Sequence, residues 1–258
     1  MAIPLLVGII WLAPKWLFVV FVLALVAVAQ WELYRMFAGV GVQADRGPGF
    51  CLGGLVVLAF ALGGAARPWL VPLALSLAVA GCLALGLRRA PGPGRDWAGI
   101  TLTLLGICYC AWLLGHAIWL RELPGGRRLT LAVLAVTWLG ESAAYFVGRR
   151  WGRHKLAPGV SPAKTIEGAV AQLLASLGAA LLAGRFLPID WGHALSLGLV
   201  IGVLGQVGDL AESFLKRSAG AKDAGGLLPG HGGLLDRLDS LLFNVPALYY
   251  YVIVLLAP

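Results

Sequence analysis

The chain has 258 residues, 60% of them hydrophobic and only 12% charged, with a mean hydropathy of +0.87. A soluble domain carries about 25% charged residues. Half that level, with apolar runs of roughly 20 residues, excludes a soluble globular protein and marks a polytopic membrane protein. The net charge of +8 does not point to nucleic acid, because the basic residues stand in short loops between apolar runs. There they read as topology determinants and phosphate ligands.

Nine spans are predicted in chain order: Ile3–Ala13, Trp16–Phe37, Phe50–Ala66, Trp69–Leu87, Trp97–Leu120, Leu129–Val147, Glu167–Gly184, His193–Val207 and Leu241–Ala257. The fold class is therefore all-α and polytopic, with about nine transmembrane helices and polar loops on one face. The first span is short, and Pro14-Lys15 separates it from the second. The segment before it lacks a basic n-region, which argues against a cleaved signal peptide. Cys51, Cys82, Cys108 and Cys110 all lie in apolar runs without CxxC spacing, so neither a disulfide nor a zinc site is expected. Glu32 is expected to pair locally with Arg35. Alternate loops collect 14 Lys and Arg on one side and 6 on the other. The positive-inside rule places the richer side in the cytoplasm. Both long polar segments, 148–166 and 208–240, fall on that side.

The first of these segments follows an acid within a span. Glu141 to Gly168 reads ESAAYFVGRRWGRHKLAPGVSPAKTIEG. An intramembrane carboxylate marks a functional position. Pro162 keeps the chain before it from being helical. Ser161 or Thr165 can cap the next helix, whose free N–H groups and dipole attract anions. Arg149, Arg153, Lys155 and Lys164 are candidate phosphate ligands around that helix start.

The second segment, Gly208 to Ser240, is polar in an otherwise apolar chain. Seven charged residues and His231 fall within the 24 residues from Lys216 to Asp239. A helix over Val203–Ala219 puts Asp209 and Ser213 one turn apart on one face, with Lys216 one turn further. Seven glycines and prolines make 220–233 a loop. A second helix starts near Leu234 and presents Asp236 and Asp239 on one face. Carboxylates converging from two helix ends suit a hard divalent cation that shares its oxygens with substrate phosphates. Lys216, Arg217, Lys222 and Arg237 can neutralise those phosphates.

Ser213 to Asp239, SFLKRSAGAKDAGGLLPGHGGLLDRLD, resembles the hallmark segment of the phosphatidate cytidylyltransferases (CDP-diacylglycerol synthases). The 141–168 block resembles the family's other motif, an acid followed by A-Y-F-x-G-R and K-L-x-P-x-x-S-P-x-K-T-x-E-G. Glu141 stands where that family usually has aspartate. The N-terminal half is similar only in hydropathy.

The resemblance implies a single integral membrane domain over 1–258, with 129–258 as the catalytic core. It implies transfer of a cytidylyl group from CTP to phosphatidic acid, giving CDP-diacylglycerol and pyrophosphate. It also implies Mg²⁺, one ion or two, and an active site on the cytoplasmic face of the inner membrane. Metal-site candidates are Asp209, Asp223, Asp236, Asp239 and Glu141, with Asp223 and Asp236 foremost. Asp223, Asp236, Asp239, Lys222 and Arg237 are the catalytic candidates. Substrate contacts are expected from Lys216, Arg217, Ser213, His231, Gly232, Gly233, Lys155, Ser161, Lys164, Thr165 and Arg149. The expected partners are CTP, phosphatidic acid and the bilayer, and the apolar half leaves room for a homodimer interface. Two alternatives stay open: the same chemistry on another lipid phosphate, and a transporter or cation channel.

Overall fold

A computed structural model describes residues 2–64, 66–87, 95–187, 189–225 and 232–256. The chain is a multi-pass membrane protein of the all-α class; among the described residues, eight helices are long and apolar enough to cross a bilayer. The predicted first span is helix α1, Ala2–Leu12, of 11 residues. At 1.5 Å per residue it reaches about 16 Å, against roughly 30 Å of hydrocarbon. Pro14, in extended backbone, stands immediately before α2, Lys15–Ala38. It has no N–H with which to continue a helix.

The chain divides into two compact units. One is built from residues 12–119 and 218–237. It holds α2, α3 (Arg46–Gly63), α4 (Leu70–Leu87) and α5 (Arg95–Gly106). A π-helical turn, Ile107–Trp112, joins α5 to α6, Leu113–Glu122. Helix α3 packs against α2, α4 and the π turn. Two glycines one turn apart make the α2 contact possible. A Cβ on Gly49 would meet the Tyr34 hydroxyl at 2.6 Å, and one on Gly53 would meet the Gln30 amide at 2.7 Å. Tyr34 Oη donates to the Thr103 carbonyl at 3.1 Å, and Gln30 Nε2 donates to the Gly49 carbonyl at 3.2 Å. These buried polar groups satisfy one another, as a segment without access to water requires.

The other unit comprises residues 1–11, 120–217 and 238–258. It contains α7 (Gly126–Trp151), α8 (Ile166–Gly184), α9 (Trp191–Ser218) and most of α10 (Leu235–Tyr251). The predicted span 193–207 and the predicted helix 203–219 are one unbroken helix, α9. Between α7 and α8 stands an antiparallel hairpin of β1 (Lys155–Ala157) and β2 (Ser161–Thr165), which the all-α expectation did not include.

Small residues set how close these helices come. Gly140 on α7 faces Ser176 and Gln172 on α8. Gly198 and Gly202 on α9 face the Leu173–Ala180 stretch of α8, while Gly205 and Gly208 face Asn244 and Asp239 on α10. In lipid, where hydrophobic burial does not drive association, such close backbone approach is a main source of packing energy.

Candidate functional site

Helix α9 has 28 residues, about 42 Å in length, so it outruns the hydrocarbon. Asp209 lies about 27 Å along it from Trp191, at the depth where a span emerges into the interface. Helices α7 and α9 finish at this end, and α8 and α10 begin there.

Asp209 and Glu212, three residues apart on α9, meet Asp239 on α10; one oxygen from each lies within 4.8 Å of the others. The meeting depends on Gly208. A Cβ there would stand 2.6 Å from the Asp239 carbonyl and 3.1 Å from Ser240 Cα. Glu212 is fully buried, and Lys216 Nζ pairs with its Oε2 at 2.5 Å. Lys164, from β2, pairs with Asp209 Oδ1 at 2.8 Å. Asp239 Oδ1 accepts from the Ser240 N–H at 2.6 Å. Glu141, on α7, lies within electrostatic range of Asp239. Three carboxylates this close repel strongly unless a cation stands among them. Their all-oxygen donor set matches a hard divalent ion, so the residues present fit a metal held by Asp209, Glu212 and Asp239.

Beside the cluster lies a cleft of about 480 Å³, lined by Glu141, Tyr145, Arg149, Lys164, Thr165 and Asp209 among others. Thr165 Oγ1 accepts from Gly168 N–H at 3.1 Å, so this residue is the N-cap of α8. The end of α7 comes close because it is glycine there. A Cβ on Gly152 would press on Thr165 Cγ2 at 2.6 Å. The hairpin turns the chain so that Lys164 is half-buried at the cleft while Lys155 is exposed and Ser161 half-buried. Arg149 is exposed, donating to Tyr145 Oη at 2.7 Å with its guanidinium over that ring. Arg217 Nε donates to the Val160 carbonyl in the hairpin turn at 3.3 Å. Ser213 is buried. His154 and Glu167 close the base of the hairpin, Nδ1 to Oε1 at 2.7 Å.

The glycine-rich segment belongs to the other unit. Asp236 Oδ2 accepts from Ala224 N–H at 3.1 Å and from Gly233 N–H at 2.8 Å. Its carboxylate therefore ties the two ends of the segment together. Lys222, Asp223 and Arg237 are exposed. Gly232 has φ of +81°, which favours glycine. His231 lies outside the described residues.

The structure thus brings the predicted ligands Asp209 and Asp239 together, with Glu141 nearby. The three-carboxylate cluster found among the described residues does not include Asp223 or Asp236. Glu212 is its unpredicted member. Its position three residues after Asp209 on a helix was the available signal. Glu32 does not take Arg35 as its partner, contrary to what local spacing suggested. It is fully buried and accepts from Leu234 N–H at 3.0 Å and Leu235 N–H at 2.7 Å, while the Arg35 guanidinium lies over the Trp31 ring. Nothing in local sequence announces a contact across 202 positions.

A model of the cytidylyltransferase family matches residues 1–255. A protein of Escherichia coli, YnbB, is 46% identical over 145 residues, covering 54% of this chain and 49% of its own. A phosphatidate cytidylyltransferase of Brucella suis is 39% identical over 181 residues, covering 69% of this chain and 65% of its own. One of Bacillus subtilis is 48% identical over 120 residues, covering 45% of this chain and 44% of its own. The chain therefore spans about half to two-thirds of the length of these curated relatives.

Proposed function

We propose, because this chain belongs to the cytidylyltransferase family, that it transfers a cytidylyl group from CTP to phosphatidic acid. The products are CDP-diacylglycerol and pyrophosphate. The observation that carries this reading is the carboxylate cluster of Asp209, Glu212 and Asp239, paired with Lys164 and Lys216 beside the cleft. A site for two polyanionic reactants needs cations to receive phosphates and carboxylates to hold a metal between them.

In the reaction, a phosphate oxygen of the lipid bonds to the α-phosphorus of CTP as the α–β bridging P–O bond breaks. Pyrophosphate leaves with that electron pair. The nucleophile is already anionic, so positioning and charge neutralisation are what the protein must supply. Lys164 and Arg149 bind phosphate oxygens at the cleft, and Lys216 and Arg217 flank the same helix end. The amides at the start of α8 add their dipole to the same charge. Asp236 shapes the glycine-rich segment, in which Lys222, Asp223, His231, Gly232, Gly233 and Arg237 are the candidate nucleotide contacts. A hard divalent cation such as Mg²⁺, when bound by Asp209, Glu212 and Asp239, supplies charge neutralisation between the phosphates.

The surplus of basic residues in the loops that carry this site supports a cytoplasmic face of the inner membrane. Residues 129–258 form the catalytic core of a single membrane domain in this reading. The test is direct: purified protein in detergent with labelled CTP, Mg²⁺ and phosphatidic acid should release pyrophosphate and form a labelled lipid. Product only with another lipid phosphate would move the substrate assignment. No CTP turnover with any lipid phosphate would overturn the reading.

A further inference from the structure

A carboxylate fully buried in a membrane protein is costly unless its charge is met. Glu32, near the end of α2, is one, at 0% exposure. Its two oxygens accept the N–H groups of Leu234 and Leu235, at 3.0 and 2.7 Å. These are among the unpaired donors at the start of α10, where the helix dipole also favours negative charge. The carboxylate also stands where side chains of the glycine-rich segment would otherwise be. A Cβ on Gly225 would lie 2.6 Å from Glu32 Oε1, and one on Gly233 would lie 2.8 Å from Oε2. The same Gly233 Cβ would lie 2.8 Å from the Gly225 backbone nitrogen, so the two ends of the segment touch. Asp236 braces that junction from the opposite sequence direction, through Ala224 and Gly233.

We propose that Glu32 is a positioning residue for the transferase. It caps α10 and clamps the junction of Gly225 with Gly233, which fixes where Asp236 and Arg237 stand. This rests on the cytidylyltransferase reading above. Glu32 touches no reactant in this scheme; it acts through the backbone that carries the residues that do. The two glycines then have a stated reason: any side chain at either would displace the carboxylate.

The experiment uses the full chain in detergent, with Glu32→Ala and Glu32→Gln. Two readouts are taken: hydrogen exchange of the peptide containing Leu234 and Leu235, and kcat and KM for CTP per folded protein. Glu32→Ala removes both acceptors, so these amides should exchange at least about tenfold faster than wild type. Its kcat should fall about 100-fold, the scale of a misplacement of about 1 Å. Glu32→Gln keeps the shape and one acceptor, so it should fold and lose about tenfold in kcat. If Glu32→Ala does not fold, Glu32→Gln decides. Wild-type kcat and KM in folded Glu32→Gln, or wild-type exchange at Leu234 and Leu235 in Glu32→Ala, overturns the proposal. A wild-type protein inactive on CTP defeats the enzymatic reading instead, while exchange still tests the clamp.

Discussion

Substituting Asp239 by Asn tests the carboxylate cluster through stability, without any assay of turnover. The oxygens of Asp209, Glu212 and Asp239 lie within 4.8 Å of one another. At that separation and an effective dielectric of about 20, each pair repels by about 3.5 kcal/mol. Asp239 takes part in two such pairs, about 7 kcal/mol before compensation. Lys164 and Lys216 sit within 2.8 Å of the other two carboxylates and cancel most of it. Asp209 and Asp239 are half-buried and Glu212 fully buried, and with both lysines in place a net repulsion of about 1–2 kcal/mol remains. Asn keeps an oxygen able to accept the Ser240 N–H.

In chelator, Asp239→Asn should therefore raise the apparent Tm by about 2–8 °C, at roughly 2–4 °C per kcal/mol. Divalent cation reverses the order. At about 100 times its Kd, a cation bound only to the folded protein adds about 2.7 kcal/mol. A variant that binds it about 100-fold less tightly gains only about 0.4 kcal/mol at the same concentration. The assay is a thermal scan of detergent-purified protein with EDTA, then with excess Mg²⁺. An unchanged or lowered Tm in EDTA, together with a Mg²⁺ shift equal to that of wild type, refutes a cation site at Asp239.

Glu212→Gln should behave in the opposite way in chelator. It removes the charged partner of the Lys216–Glu212 pair, in which the lysine side chain is 14% exposed and the carboxylate fully buried, and breaking a buried pair costs about 3–5 kcal/mol. The double variant Glu212→Gln/Lys216→Met should recover much of that loss, and a thermal scan reads both. Lys164→Ala frees Asp209 of its cation and removes a phosphate contact. It should leave Mg²⁺-induced stabilisation intact or stronger while raising KM for a phosphate-bearing substrate about tenfold or more; initial-rate kinetics check this. Gly208→Ala drives a methyl to within 2.6 Å of the Asp239 carbonyl. It should cost about 1–3 kcal/mol by overpacking and weaken Mg²⁺-dependent stabilisation as α9 and α10 part.

Apolar runs announced the spans because a bilayer admits only segments whose backbone is satisfied internally over a fixed length. Local chemistry announced some ends. Thr165 caps α8 as its position before a helical run suggested, and α10 begins at Leu235 beside the predicted Leu234. The hairpin at 155–165 was not foreseen. Strands of 3 and 5 residues are too short for an alternation to show, although Pro158-Gly159 marks a turn.

The sequence by itself determined the class of protein, the helices and the two polar segments that carry the chemistry. Those follow from composition and spacing along one dimension. Which carboxylates share a site was decided by tertiary structure. It depends on Gly208 letting α10 approach α9, and it brings Glu212 to Asp209 and Asp239. The same holds for Glu32, whose partners lie about 200 positions away. A buried charge is matched by whatever donors the packed chain places within about 3 Å, and chain order carries no record of that distance.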